Sequence, residues 1–252
     1  MIPLSDDNPT VHPPVMTLLI LLGIGATWVV VQGAGLTDQL VRSVCNLGMV
    51  PGELTGRAEV GAGVAITSNL MCVVDAEPIN RLTPLTSMFL HGGWGHLLGN
   101  VLFFWVFGNN VEDLMGAGRF LVFYLLCGLA AAGAHVAVDP ASILPTVGAS
   151  GAISGVMGAY LLLFPQVRVR MLFFFGIFLR VIPLPAWGVL LWWFGWQVIA
   201  GLPQLVGVGD LAGGVAVWAH AGGFVAGLLV VRLFVRPERE RAHRRLLAQG
   251  RS

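Results

Sequence analysis

Apolar runs of about bilayer-spanning length recur along this chain, separated by short polar breaks and one long one. They cover residues 15–33, 94–108, 119–138, 150–164, 184–202 and 213–235. A helix needs about 20 apolar residues to cross a bilayer, so the pattern predicts an all-α, polytopic bundle of six transmembrane helices. The second and fourth runs are short. Residues just before them are expected at membrane depth, which non-helical backbone tolerates only when protein covers it or it lines a wet cavity. A further apolar piece, 171–182, lies between Arg170 and Pro183. It either extends the fifth helix beyond a kink or lies at the interface. The expected organisation is a short N-terminal segment (1–14), a helical domain (15–235) with a long loop at 34–93, and an arginine-rich tail (236–252).

Composition supports the membrane class, because 56% of the 252 residues are hydrophobic and only 11% charged, far from a soluble average. Every basic residue is arginine, and the arginines orient the bundle. Arg232, Arg236 and Arg239 open a basic tail, and Arg168, Arg170 and Arg180 follow the fourth run. By the positive-inside rule both regions are cytoplasmic, and six spans then leave the N-terminus inside too. The loop 34–93 falls outside, where Cys45 and Cys72 could pair in an oxidising compartment or remain free thiols. The polar residues 1–12 give no cleavable signal pattern, so the first run is expected to stay in the membrane.

Orientation assigns a depth to the polar residues. Ser150 opens the fourth run behind the small residues Gly148 and Ala149, near a helix start where unpaired N–H groups and a positive dipole end could hold an oxyanion. Ser154 lies one turn deeper. Small residues in an apolar helix also serve helix packing, so this motif alone does not decide. His96 and Asn100, at i and i+4, begin the second run from the same outer side, and His220 lies about two turns into the sixth. Polar groups at one depth on three helices are costly unless used. Ala216, His220, Gly223 and Gly227 fall on one helical face, and Gly151 and Gly155 offer a matching small face on the fourth helix. Such faces let backbones approach closely, which would bring His220 to Ser150.

The stretches His91-Gly-Gly-Trp-Gly-His-Leu-Leu-Gly-Asn100, Gly148-Ala-Ser-Gly-Ala-Ile-Ser-Gly155 and Ala219-His-Ala-Gly-Gly-Phe-Val-Ala-Gly227 resemble the three motif blocks of the rhomboid family of intramembrane serine proteases. The resemblance covers about residues 84–230, and Asn109-Asn-Val-Glu-Asp-Leu-Met-Gly116 is similar to the family's loop after the second helix. It implies a rhomboid-like bundle with Ser150 as nucleophile and His220 as general base, a dyad without a carboxylate. It also implies an oxyanion hole of His96, Asn100 and the Ser150 and Ala149 backbone. Substrates would be single-span membrane proteins cut near their outer ends, with no cofactor and no nucleic acid. The expected location is a bacterial cell membrane, with both termini cytoplasmic and the site open outward. Some members carry an aromatic residue one turn after the nucleophile, packed on the base. Here that residue is Ser154, so what orients His220 is left open. Glu112 is expected as a brace, with Arg119 as its partner or simply an anchor. By the family's habit, the fifth helix with Trp187, Trp192, Trp193 and Trp196, together with the loop 203–211, is the candidate movable side. An aromatic belt at the interface explains the same tryptophans.

The same residues admit other readings. Gly207-Val-Gly-Asp210 matches a string of intramembrane aspartyl proteases, but that chemistry needs two carboxylates sharing a proton, and the string reads as a turn. His91 and His96 have no nearby carboxylate or thiolate, so no metal site is expected. His135 is read as packing or interfacial, and His12 and His243 as solvated. A small-molecule transporter and a proteolytically inactive client-binding relative are the alternative functions. No inverted repeat supports the first, and the presence of both Ser150 and His220 counts against the second.

Overall fold

The computed structural model describes residues 2–66, 70–175, 178–205 and 216–249. In chain order the elements are β1 (Ile2–Asp6), α1 (Val15–Ala26, continued by a wider turn over Thr27–Val31), α2 (Thr37–Leu47), α3 (Pro51–Thr55), β2 (Gly63–Ala65), β3 (Met71–Val73) and α4 (Thr83–Thr86). Then follow α5 (Trp94–Met115), α6 (Ala117–Val138), α7 (Ser150–Leu163), β4 (Arg168–Phe175), β5 (Phe178–Pro185), α8 (Ala186–Leu205), α9 (Val217–Phe234) and α10 (Pro237–Gln249). A helix stands at each of the six apolar runs. Among the described residues, α6 and α9 are long and apolar enough by themselves to cross a bilayer, while 15–31 and α7 are shorter apolar helices. From residue 206 the loop 203–211, with the Gly207–Asp210 string, lies outside the described residues.

The fold is mostly helical, but the all-α expectation is corrected by two small antiparallel sheets. One has the order β1-β4-β5 and the other pairs β2 with β3. The piece 171–182 does not extend the fifth helix. It forms the β4–β5 hairpin, with Arg168 opposite Pro185 and Phe175 opposite Phe178. Period-two alternation explains the strand: Val169 and Met171 are buried while Arg168 and Arg170 are exposed, and the Phe run that follows favours a pleated surface. Pro183 and Pro185 cannot donate to a ladder, and they sit on the edge strand where that costs least. The N-terminal segment supplies the other edge, β1.

α7 lies at the centre, packed against α5, α6 and α9. Phe104, Phe107, Phe120, Tyr124, Met157 and Tyr160 fill the core. α5 and α6 are joined by Gly116 alone, at φ +77°, a conformation that favours glycine after a helix. The loop 34–93 is largely built structure, and a Cys45–Cys72 disulfide ties α2 to β3 across 27 residues, of which residues 67–69 are not described.

The end of the bundle opposite the N-terminus of α7 is held by carboxylates. Glu112 accepts from the Met16 N–H, the Thr17 N–H and the Thr17 hydroxyl, each at 2.7 Å. It thus caps α1, whose own N-cap residue, Pro14, makes no side-chain cap. Arg119 is not its partner: that guanidinium points at the Phe234 carbonyl, 3.5 Å away. Asp113 accepts from the Val11 N–H at 3.0 Å and the His12 N–H at 2.9 Å, and pairs with His12 Nδ1 at 2.7 Å. His243 is buried beside the same carboxylate at 3.5 Å. Neither histidine is therefore simply solvated. Asp6 takes hydrogen bonds from Asn110 Nδ2 at 2.8 Å and from the Tyr160 hydroxyl.

Candidate active site

The site is assembled at the N-terminus of α7. Gly148 adopts φ +130°, and its N–H donates to the Ser87 carbonyl at 2.9 Å. A Cβ there would stand 2.7 Å from His96 Nε2 and 3.3 Å from Ser150 Oγ. Only glycine suits this position, in conformation and in space. The chain thereby turns straight into α7 with Ser150 as its first residue, where N–H groups lack intrahelical acceptors.

Backbone contact between α7 and α9 sets the distance across the site. A Cβ on Gly223 would lie 2.0 Å from the Gly151 carbonyl oxygen, and one on Gly227 would lie 1.9 Å from that of Gly155. A Cβ on Gly151 would also stand 2.6 Å from Ala131, and one on Gly155 2.4 Å from Cys127, both on α6. With the helices this close, His220 Nε2 comes to 2.7 Å from Ser150 Oγ. The other ring nitrogen, Nδ1, is 3.0 Å from Gln197 Oε1 on α8. Trp193, one turn earlier on α8, sets its ring 5.8 Å from the imidazole at a tilt of 38°.

The remaining candidates differ in their engagement. His96 turns Nε2 toward Gly148, while its Nδ1 accepts from the Gly92 N–H at 3.3 Å. Asn100 is buried on the same cleft, but its amide donates to the His96 carbonyl at 2.9 Å, leaving one N–H for anything else. Ser154 is buried and donates to the Ser150 carbonyl at 2.6 Å. His91 is fully buried, its backbone clamped by both ends of the Gln32 amide and its ring set edge-on against His96 at 5.2 Å. His135 pairs with Thr146 at 3.0 Å. A cleft of about 780 Å³ joins Ser150, His220, His96, Asn100, Trp193 and Gln197.

Sequence reasoning missed Gln197, and with it the division of labour among the tryptophans. Trp187, Trp192 and Trp196 are exposed, Trp192 and Trp196 stacking at 6.3 Å, whereas Trp193 turns inward. The signal was present: Gln197 is the sole amide side chain in the apolar run 184–202, and a polar residue there invites the same question as His220.

A family model describing the rhomboid domain matches residues 80–237. The chain is 30% identical over 68% of its length to the mitochondrial rhomboid protein 1 of Saccharomyces cerevisiae, covering 47% of that protein. It is 32% identical over 65% of its length to the rhomboid protease GluP of Bacillus subtilis, covering 28% of it. A chloroplastic rhomboid-like protein 11 of Arabidopsis thaliana is 37% identical over 28% of this chain and is covered over 25% of its own length. The chain thus spans about half or less of the length of these relatives.

Proposed function

Because the chain belongs to the rhomboid family, we propose that it is an intramembrane serine endopeptidase that cuts transmembrane segments of single-span membrane proteins. Ser150 is the nucleophile and His220 the general base. The observation that carries this reading is the 2.7 Å contact between His220 Nε2 and Ser150 Oγ, within the reach proton transfer requires. His220 takes the Ser150 proton as Oγ attacks the substrate carbonyl carbon. The oxyanion rests on the unpaired N–H groups at Ala149 and Ser150, on His96, and on the free N–H of Asn100. His220 then protonates the leaving amine, and water hydrolyses the acyl-enzyme by the reverse proton path.

In this reading all six apolar helices cross the membrane with both termini cytoplasmic, in a bacterial cell membrane. Leu22, Val30, Leu229 and Leu233 are all exposed on helix surfaces, a pattern suited to lipid rather than water. The disulfide in the loop 34–93 suits an oxidising outer compartment. The cleft reaches Ser150 from that same loop side, since Val44, Met49 and Ile66 also line it. A helical peptide bond is sterically shielded and hydrogen-bonded, so substrates with helix-weakening Gly or Pro near the outer end are favoured.

The test is cleavage of a single-span reporter co-reconstituted in proteoliposomes, with products read by mass spectrometry. Turnover by the wild type and none by Ser150→Ala supports the reading. Turnover that survives Ser150→Ala, or that is lost instead in Ser154→Ala alone, overturns it.

A further inference from the structure

We infer that Gln197 is the positioning residue of the base: its side-chain carbonyl holds His220 in the tautomer that can accept the serine proton, the task a carboxylate performs in a triad. The inference rests on the dyad reading above and deepens it.

For His220 Nε2 to accept from Ser150 Oγ–H it must be unprotonated, so the ring proton of a neutral imidazole sits on Nδ1. Nδ1–H then needs an acceptor, and Gln197 Oε1 stands 3.0 Å from it. The opposite amide orientation would offer Gln197 N–H to Nδ1, push the proton to Nε2 and leave Ser150 without a base. One orientation of this amide therefore permits catalysis and the other forbids it. His96 on α5 shares the cleft with His220, and as a group that can carry only positive charge it cannot stabilise an imidazolium. Among the described residues no carboxylate approaches the ring, and Ser154, one turn after the nucleophile, spends its hydroxyl on the Ser150 carbonyl. α8 supplies both restraints instead: Trp193 against the ring face, and Gln197 at its outer nitrogen. During acylation the Oγ–H bond breaks as the Oγ–C bond forms, the proton moves to Nε2, and the Nδ1–H bond to Gln197 persists throughout. A neutral amide fixes geometry and tautomer but adds no full charge, so it stabilises the imidazolium less than an aspartate would.

The experiment measures kcat and KM against pH for wild type, Gln197→Leu and Gln197→Glu in proteoliposomes, with Ser150→Ala as the blank. Gln197→Leu is expected to lower kcat on the order of 10- to 100-fold, less than the full contribution of a general base, with KM within about twofold. Gln197→Glu keeps the acceptor and adds a charge, so it should retain activity while the acidic limb of kcat/KM moves to higher pH by about one unit. Because Gln197→Leu also alters packing on α9, the isosteric Gln197→Glu carries the test by itself. An acidic limb unmoved in Gln197→Glu overturns the inference. So does a wild-type kcat in Gln197→Leu, and either result leaves the dyad standing if Ser150→Ala is inactive. A wild type that does not turn over, with Ser150 unreactive, removes the dyad and this inference together.

Discussion

The two ends of the bundle use buried polar groups in opposite ways. At the end that carries β1 and α10, three carboxylates are satisfied by fixed partners: Glu112 by the start of α1, Asp113 by residues 11–12, and Asp6 by Asn110 and Tyr160. These groups tie both termini to α5 and α7. At the other end there is no carboxylate beside Ser150 among the described residues, hydrogen-bonding capacity is left over, and the groups face a cleft. Satisfied networks rigidify, whereas groups with spare valence around a cavity are what chemistry requires. The lesson is that burial of a polar group does not by itself mark an active site. What separates the two ends is that Glu112, Asp113 and Asp6 have their partners inside the protein, although Asn110 Oδ1 beside them is left without one, whereas the groups around Ser150 face a cleft.

One end should govern turnover and the other stability. The largest effect is expected from Ser150→Ala or His220→Ala, each lowering turnover by at least about 10³-fold with an unchanged thermal midpoint in detergent. Glu112→Ala should do the reverse. Losing a charged acceptor of three hydrogen bonds costs about 3 kcal/mol, read from denaturant titration, while the folded fraction keeps its specific activity.

Asp6 gives the stability end a pH signature. Burial, opposed by the Tyr160 hydrogen bond, lifts its carboxyl from 3.8 to about 6. Between those values the unfolded chain ionises first, so stability falls as pH rises from about 4 to about 6 and is level above. The fall should be on the order of 2–3 kcal/mol at most, and Asp6→Asn should remove it. A stability curve that rises over this interval would contradict the assignment. Gly148→Ala acts at the other end, where a positive φ and the His96 ring leave no room for a methyl group. It should lower kcat by about tenfold with a smaller change in stability. Ser154→Ala, which removes only a bond to a backbone carbonyl, should leave kcat within about twofold.

The parts of the molecule legible in sequence were those where a costly residue type stands in an apolar run. Ser150, His220, His96 and Asn100 were grouped for that reason, and all four line one cleft; the small faces around Gly151, Gly155, Gly223 and Gly227 indicated which helices would touch. The β4–β5 hairpin escaped because Leu172–Phe175 is a continuous apolar run, and periodicity cannot tell such a run from a helix segment. Only the flanking Arg168, Val169, Arg170 and Met171 alternate. The partners of Glu112, His12 and His243 were hidden for a different reason. They are backbone groups or residues about 100 or more positions away, and no local pattern encodes them. Gln197 was visible as a lone amide in an apolar helix but has its meaning only beside His220.

The most direct test of the central claim is labelling of the detergent-purified protein with a fluorophosphonate, followed by intact-mass measurement and peptide mapping. One adduct is expected, on Ser150, absent from Ser150→Ala and from His220→Ala. An adduct on Ser154 would contradict it, as would no adduct under conditions in which a related active protease labels.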